Sequence, residues 1–339
     1  MSKTETMPAP EGLRRRPGEG RGRALSVQLG MIPAVVIALA IGFLVNDAFL
    51  TPGNLVNVLQ QSSELAILVV AETLILLTGR FDLSLESVVA FAPMLAVWLV
   101  LPAAVGGVGV LPATVGLVVL FAVGALTGLF NGLMVTRLRL NAFIVTLAML
   151  ILLRGATLGV ANGRTLADLP APFTYLGSTA FLGLPFTVWI AAALFAGVHW
   201  FLRHHRHGRA LYAVGGNSTA ARAAGIRVPS AILAVYVVGG LLAALAGLLL
   251  AGRLAAVTAG QGQNMIFSVF AAAVIGGIGL NGGKGSILGA LTGVLLLGII
   301  SNILTLSQIS TFWIDAANGA IILGALLIQR ATGETGEEP

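Results

Sequence analysis

Cysteine is absent from the 339 residues, which excludes a disulfide framework and any thiolate chemistry. Charge is scarce as well. Asp, Glu, Lys and Arg together make 9% of the chain, against 57% hydrophobic residues. A soluble domain carries about 25% charged and roughly 45–50% apolar residues, so this balance excludes an ordinary soluble fold. Catalytic signatures are missing: there is no nucleophile elbow and no metal-ligand spacing. The cluster His204, His205 and His207 lies among Arg203 and Arg206 and fits a basic patch facing an anionic leaflet better than a metal site. Two strings imitate nucleotide motifs and fail. Gly277-Ile278-Gly279-Leu280-Asn281-Gly282 follows an apolar helix rather than a strand, with no acid about 20 residues on. Gly283-Lys284 lacks the Ser or Thr needed at 285 and the Gly needed at 278. The sequence therefore offers no ATP site and no cofactor site of its own.

What it has is apolar length. A spanning helix needs about 20 mostly apolar residues. The candidate spans are 27–46, 62–78, 84–102, 112–136, 141–160, 183–202, 230–251, 264–280, 286–306 and 311–329. The expected fold is an all-α polytopic membrane protein of about ten transmembrane helices, the second and eighth of them short. Residues 24–330 form its membrane domain, between a tail at 1–23 and another at 331–339. The first tail holds Pro, Gly, Glu and Arg without apolar periodicity and is expected to be disordered. The run from Ala24 to Leu50 exceeds a signal-peptide core of about 7–15 residues, so it is expected to remain as the first helix.

Basic residues set the expected orientation, because Lys and Arg stay on the cytoplasmic side. With the N-terminus inside, Arg14, Arg15, Arg16, Arg21, Arg23, Arg80, Arg137, Arg139, Arg203, Arg206, Arg209, Arg222, Arg227, Lys284 and Arg330 all fall inside. Outside fall Arg164 and Arg253, while Arg154 lies within a span. Both termini are thus expected in the cytoplasm of a cell whose plasma or inner membrane holds the chain.

The two halves echo one another. Asn131, in Gly-Leu-Phe-Asn-Gly-Leu-Met, ends the fourth span, and Asn302, in Gly-Ile-Ile-Ser-Asn-Ile-Leu, ends the ninth. Each precedes a short polar connection and then a Phe, at 143 or 312. Spans five apart run in opposite directions, the pattern of an inverted repeat. Glycine-rich breaks occur in both halves, at Thr78–Ser84 and Gly279–Ser286. Interrupted helices in matching positions point to a transport pathway, although two plain turns would share that composition. Asp82, Ser84, Asn131, Phe143, Thr146 and Asn302 are the candidate pathway residues. Asp82 or Ser84 is placed to cap the helix that begins there.

Between the sixth and seventh spans, Gly208–Pro229 predicts a two-turn helix outside the membrane. Asn217 is a good N-cap, Ala220, Ala221, Ala223 and Ala224 favour helix, and Gly225 suits the left-handed stop. This loop resembles the Ala-Ala-x-x-x-Gly coupling segment of ABC importer permeases. More narrowly, residues 45–330 resemble the ribose, xylose and galactose type of permease, related to branched-chain amino acid permeases. Members carry Gly-Gly-Ile-Asp-Leu-Ser-Val-Gly-Ser, here Gly79-Arg80-Phe81-Asp82-Leu83-Ser84-Leu85-Glu86-Ser87. Pro-Phe-Ile-Val-Thr-Leu corresponds to Ala142-Phe143-Ile144-Val145-Thr146-Leu147, with Arg154-Gly155 following. Gly-Gly-Thr-Ser-Leu-x-Gly-Gly-Arg-Gly-Ser corresponds to Gly276–Ser286.

The resemblance implies the pore subunit of an ATP-driven importer for a small polar solute, a sugar or sugar-like compound. It implies separate ATPase subunits that hold ATP and magnesium, a solute-binding protein outside, a second permease copy or paralogue, and lipid around the whole. Asn217, Ala220, Ala221, Arg222 and Gly225 are the implied ATPase-coupling residues. Arg80, Glu86 and Glu72 depart from the family pattern. Arg80 and Glu86 are expected to pair with each other, and these charges count against a plain neutral sugar. The alternative is a secondary, proton-coupled transporter with Glu64, Glu72 or Asp315 carrying the proton. Inverted repeats suit that class too, but a proton-driven carrier has no use for a coupling loop. A membrane enzyme or a passive channel lacks supporting chemistry in the sequence.

Overall fold

The computed structural model describes residues 19–310 and positions 313, 314, 316, 317, 319, 320, 323 and 324. Among them the α-helices are α1 (Glu19–Val45), α2 (Pro52–Leu76), α3 (Leu85–Val100), α4 (Ala113–Thr136), α5 (Ala142–Ala161), α6 (Ala171–Ser178), α7 (Phe186–His204), α8 (Arg206–Gly216), α9 (Ser218–Ala223), α10 (Val228–Leu254), α11 (Met265–Ile275) and α12 (Ile287–Leu306). Two-residue strands pair β1 (Leu166–Ala167) with β4 (Ala256–Val257) and β2 (Ala180–Phe181) with β3 (Leu184–Pro185), both antiparallel.

Six helices, α2, α4, α5, α7, α10 and α12, are long and apolar enough to cross a membrane. Three further predicted spans fall on shorter apolar stretches, Ile32–Val45 of α1, α3 and α11. The predicted span 311–329 and Asp315 lie largely outside the described residues, as do residues 1–18 and 325–339. Helix α1 starts at Glu19, inside the stretch expected to be a tail.

Helices α2 and α10 form the core. α10 packs on α4, α2, α3 and α6, while α2 packs on α12, α7 and α11. In lipid, apolar helices gain no hydrophobic drive from meeting one another, so close van der Waals packing between small residues must hold them together. α4 and α10 meet through Gly124, Gly128, Gly240 and Ala244, with backbone against backbone.

Helices α3 and α11 are short because each begins inside the packed interior. Leu85, Glu86, Ser87 and Val88 at the start of α3 are buried, as is Ile266 in the first turn of α11. Ahead of them run the non-helical connectors 77–84 and 255–264. Backbone of that kind survives at membrane depth only where protein or water in a cavity satisfies it. Here Leu77 C=O accepts from Gly283 N–H at 3.0 Å, and Phe81 C=O accepts from the Tyr236 hydroxyl at 2.9 Å.

Candidate functional site

Three groups of residues surround the connectors. The first is a buried polar cluster. Asp82 Oδ1 accepts from Ser84 N–H at 2.9 Å and from Ser84 Oγ–H at 2.6 Å. Asn131, on α4, donates its Nδ2 to Ser84 Oγ at 2.8 Å and, more weakly, to Asp82 Oδ1 at 3.4 Å. Glu72 Oε1, on α2, accepts from Asp82 N–H at 3.3 Å. All four residues are buried. Asp82 thus holds the amide just before α3 instead of capping it, and Ser84 makes no side-chain cap. The cluster ties α2, the 77–84 connector and α4 together. Sequence reasoning singled out Asp82, Ser84 and Asn131, and these three do come together.

The second group lies around the first turn of α3, where Glu86, Ser87, Arg154, Gly260, Gln261 and Gln263 border a cavity of about 10 Å³. That is the size of a single water. Glu86 Oε2 accepts from Ile266 N–H at 3.2 Å, at the N-terminus of α11. A helix N-terminus carries unpaired N–H groups and about half a positive charge, and here the terminus of α11 meets a carboxylate from the first turn of α3. Arg154, from α5, acts electrostatically on the same carboxylate. The expected pair of Arg80 and Glu86 does not form. Arg80 is exposed, and Glu86 is turned into the interior by the amides of α11.

Gln261 anchors the 255–264 connector. Pro93 within α3 has no N–H, so Val89 C=O, four residues earlier, loses its helical partner. Gln261 Nε2 donates to that carbonyl and to Gly247 C=O, each at 3.0 Å. Sequence reasoning missed Gln261. The signals available were a polar island, Gly260-Gln261-Gly262-Gln263, between apolar helices and a proline that frees a buried carbonyl.

The third group is the loop between α7 and α10. Helix α8, missed from the sequence, precedes α9. Asn217 caps α9 as expected, its Oδ1 accepting from Thr219 N–H at 3.0 Å and Ala220 N–H at 2.9 Å. Gly225 has φ +82°, the left-handed stop that a residue with a Cβ adopts only at a cost. Gly215, at the end of α8, approaches so closely that a Cβ there would stand 2.0 Å from Leu77 O and 2.5 Å from Gly283 N. Tyr212 donates its hydroxyl to Gly285 C=O at 3.1 Å, and burial pushes its phenol above the ordinary tyrosine range. The two glycine-rich breaks predicted from sequence, 78–84 and 279–286, therefore meet each other, and α8 packs on both. Asn217, Ala220, Arg222, Ala223 and Ala224 are exposed. Ala221 differs from its neighbours: it is 4% exposed and packs inward, while the small residues Ala220, Ala223 and Ala224 face out.

The remaining predicted residues stand apart from these groups. Phe143 is 48% exposed, and eleven residues of helix, about 16 Å, separate it from Arg154. Thr146 is buried and donates its hydroxyl to Ala142 C=O at 2.9 Å within α5. Asn302 pairs reciprocally with Asn54 at 2.9 Å, joining α12 to α2. Glu64 accepts from Arg253 Nε–H at 2.8 Å, an ion pair linking α2 to α10.

Comparison with known proteins supplies the context. Residues 54–329 match the family described as branched-chain amino acid transport system / permease component. The chain is 38% identical to the ribose import permease protein RbsC of Escherichia coli strain K12 over 302 residues, 87% of this chain and 91% of that protein. It is 34% identical to RbsC of Haemophilus influenzae, covering 92% of this chain and 95% of the relative. It is 31% identical to the L-arabinose ABC transporter permease protein AraH of Azospirillum brasilense, covering 97% and 96%. No solved structure matches.

Proposed function

The chain belongs to the branched-chain amino acid transport system / permease component family, and from that premise we propose that it is the membrane pore of an ATP-driven importer for a sugar. Relatives named for ribose and L-arabinose import support the solute class. The chain is not itself an enzyme. ATP and magnesium belong to separate ATPase subunits, and a solute-binding protein delivers cargo from outside. A second permease copy or a paralogue completes the pore.

In this proposal both termini are cytoplasmic, which puts α8, α9 and the paired breaks 78–84 and 279–286 on the inner side. The tenth span, 311–329, completes an inverted repeat that relates the fourth span to the ninth and the third to the eighth. Support comes from α3 and α11, two short helices that each begin in the interior behind a non-helical connector and face each other across Glu86. Asp82, Ser84 and Asn131 hold the first connector in place, while Thr146 and Asn302 fix helices around the pathway and Phe143 borders its inner end.

The observation that carries the coupling proposal is the contact of Gly215 with Leu77 and Gly283. A push on α9 passes through α8 straight to both interrupted segments. The exposed face Ala220, Ala223 and Ala224, framed by Asn217, Arg222 and Gly225, receives that push from an ATPase groove. Ala220→Glu tests it. The variant is expected to insert normally, to lose co-purification of the ATPase in detergent and to lose uptake. Full uptake that ignores ATP depletion and follows a proton gradient would instead establish the secondary-carrier alternative.

A further inference from the structure

Resting on the sugar-importer assignment, we propose that Glu86, Arg154 and Gln261 form a solute-contact site between the N-termini of α3 and α11, built for a neutral polyhydroxylated solute. The cavity they border has Ala90 and Ala259 in its wall, with Glu86, Ser87, Arg154, Gln261 and Gln263 as its polar side chains. Gln261 spends both of its N–H donors on Val89 C=O and Gly247 C=O. That fixes the amide's orientation and leaves Oε1 as an acceptor. Gln261 is 5% exposed, and its Oε1 is buried with no hydrogen-bond partner among the described residues. Buried acceptors of this kind are rarely left empty, and this one belongs to a residue on the cavity wall. Ser87 donates to Leu150 C=O at 2.8 Å and keeps its lone pairs for a donor. Glu86 accepts at Oε2 from Ile266 N–H and also bonds the Asn264 backbone, and its carboxylate has lone pairs to spare for a further donor.

Donors come from Arg154. It sits in the twelve residues of helix after Ala142, well inside α5, and it makes no hydrogen bond among the described residues. A guanidinium carries five N–H donors, and a charged side chain within a span normally serves a pathway. The site thus sets three acceptors beside a fan of donors, which suits hydroxyl groups because each both donates and accepts.

Charge decides between solute classes. Glu86 and Arg154 bring one formal charge of each sign to the cavity wall, so neither side chain leaves an uncompensated charge for a charged solute to match. A cationic solute meets Arg154 and the positive end of α11; an anionic one meets Glu86. A neutral polyol meets neither penalty. Glu86, one of the charges that counted against a neutral sugar in the sequence, therefore has Arg154 rather than Arg80 as its counter-charge here. The cavity, about 10 Å³, has the size of one water, so the site takes a single hydroxyl of the solute and leaves the Gln261 bonds to Val89 and Gly247 in place.

The test uses the complete complex, with ATPase and binding protein, in proteoliposomes, and D-ribose, L-arabinose and D-xylose as probes. The native chain has no cysteine, so Ala259→Cys gives a single label point on the cavity wall. Saturating transported sugar is expected to slow its alkylation during turnover, and alkylation is expected to block uptake. Glu86→Gln is expected to change the ratio of uptake rates among the three sugars by about tenfold, the worth of one hydrogen bond to a charged group, with ATPase co-purification unchanged. An equal fall for all three sugars, an unchanged ratio, or labelling indifferent to sugar overturns the site while leaving the importer assignment standing. A wild-type complex that imports none of the three overturns both.

Discussion

The crossing of α4 and α10 gives a sharp test of how this fold is held. Gly240→Ala would put a Cβ 2.0 Å from Gly124 O and 2.9 Å from its carbonyl carbon. Comfortable contact begins at about 3.5 Å, so the two helices must part by about 1.5 Å. A gap of even 0.5–1 Å forfeits roughly a quarter to a half of each dispersion well. The obstacle is backbone on both sides, so no side chain can swing clear. Overpacking by one methyl costs about 1–3 kcal/mol, and the better helix propensity of Ala returns about 1 kcal/mol. The cost falls at the upper end because the neighbour is rigid, which leaves a net loss of about 1–2 kcal/mol. Gly155→Ala on α5 is the matched control. Nothing lies within 4 Å of its added Cβ, so only the propensity gain remains and stability should rise by up to about 1 kcal/mol. The assay is unfolding of purified protein in detergent micelles, wild type beside each variant. Equal effects from the two substitutions, or a more stable Gly240→Ala, would refute backbone-to-backbone packing as the basis of this contact.

Other consequences are as direct. Single cysteines at Arg206 and Arg164, both exposed, should behave oppositely toward an impermeant thiol reagent in intact cells; labelling at 206 and protection at 164 would invert the proposed topology. Arg253→Ala strands the buried Glu64 carboxylate, at a cost below the about 3–5 kcal/mol of a fully buried pair because Arg253 is 27% exposed. Glu64→Gln combined with Arg253→Ala should recover most of that loss in the same unfolding assay, and no recovery would show that the pair's charge is not the cause.

Much of this protein was legible in sequence because the relevant signals are local. The length of an apolar run fixes where a helix lies, and nine of the ten predicted spans fall on helices or apolar helical stretches among the described residues. The cap at Asn217 and the stop at Gly225 were legible for the same reason, since a side chain bonding amides two and three residues on needs nothing from the rest of the fold. The cluster of Asp82, Ser84 and Asn131 was half legible: its members stood out as polar groups in apolar surroundings, but their mutual bonds did not.

Tertiary structure alone decided the rest. Glu86 meets Ile266, 180 residues away, rather than the nearby Arg80. Gln261 reaches Val89 across 172 residues, and the two glycine breaks close on each other at Gly215. Ala221 turned inward where its exposed neighbours turned out. The physical reason is that a helix which is apolar all round has no polar face to mark its outer side. Its rotation, depth and partners are set by which small residues let backbones approach, and that depends on helices brought together from distant parts of the chain.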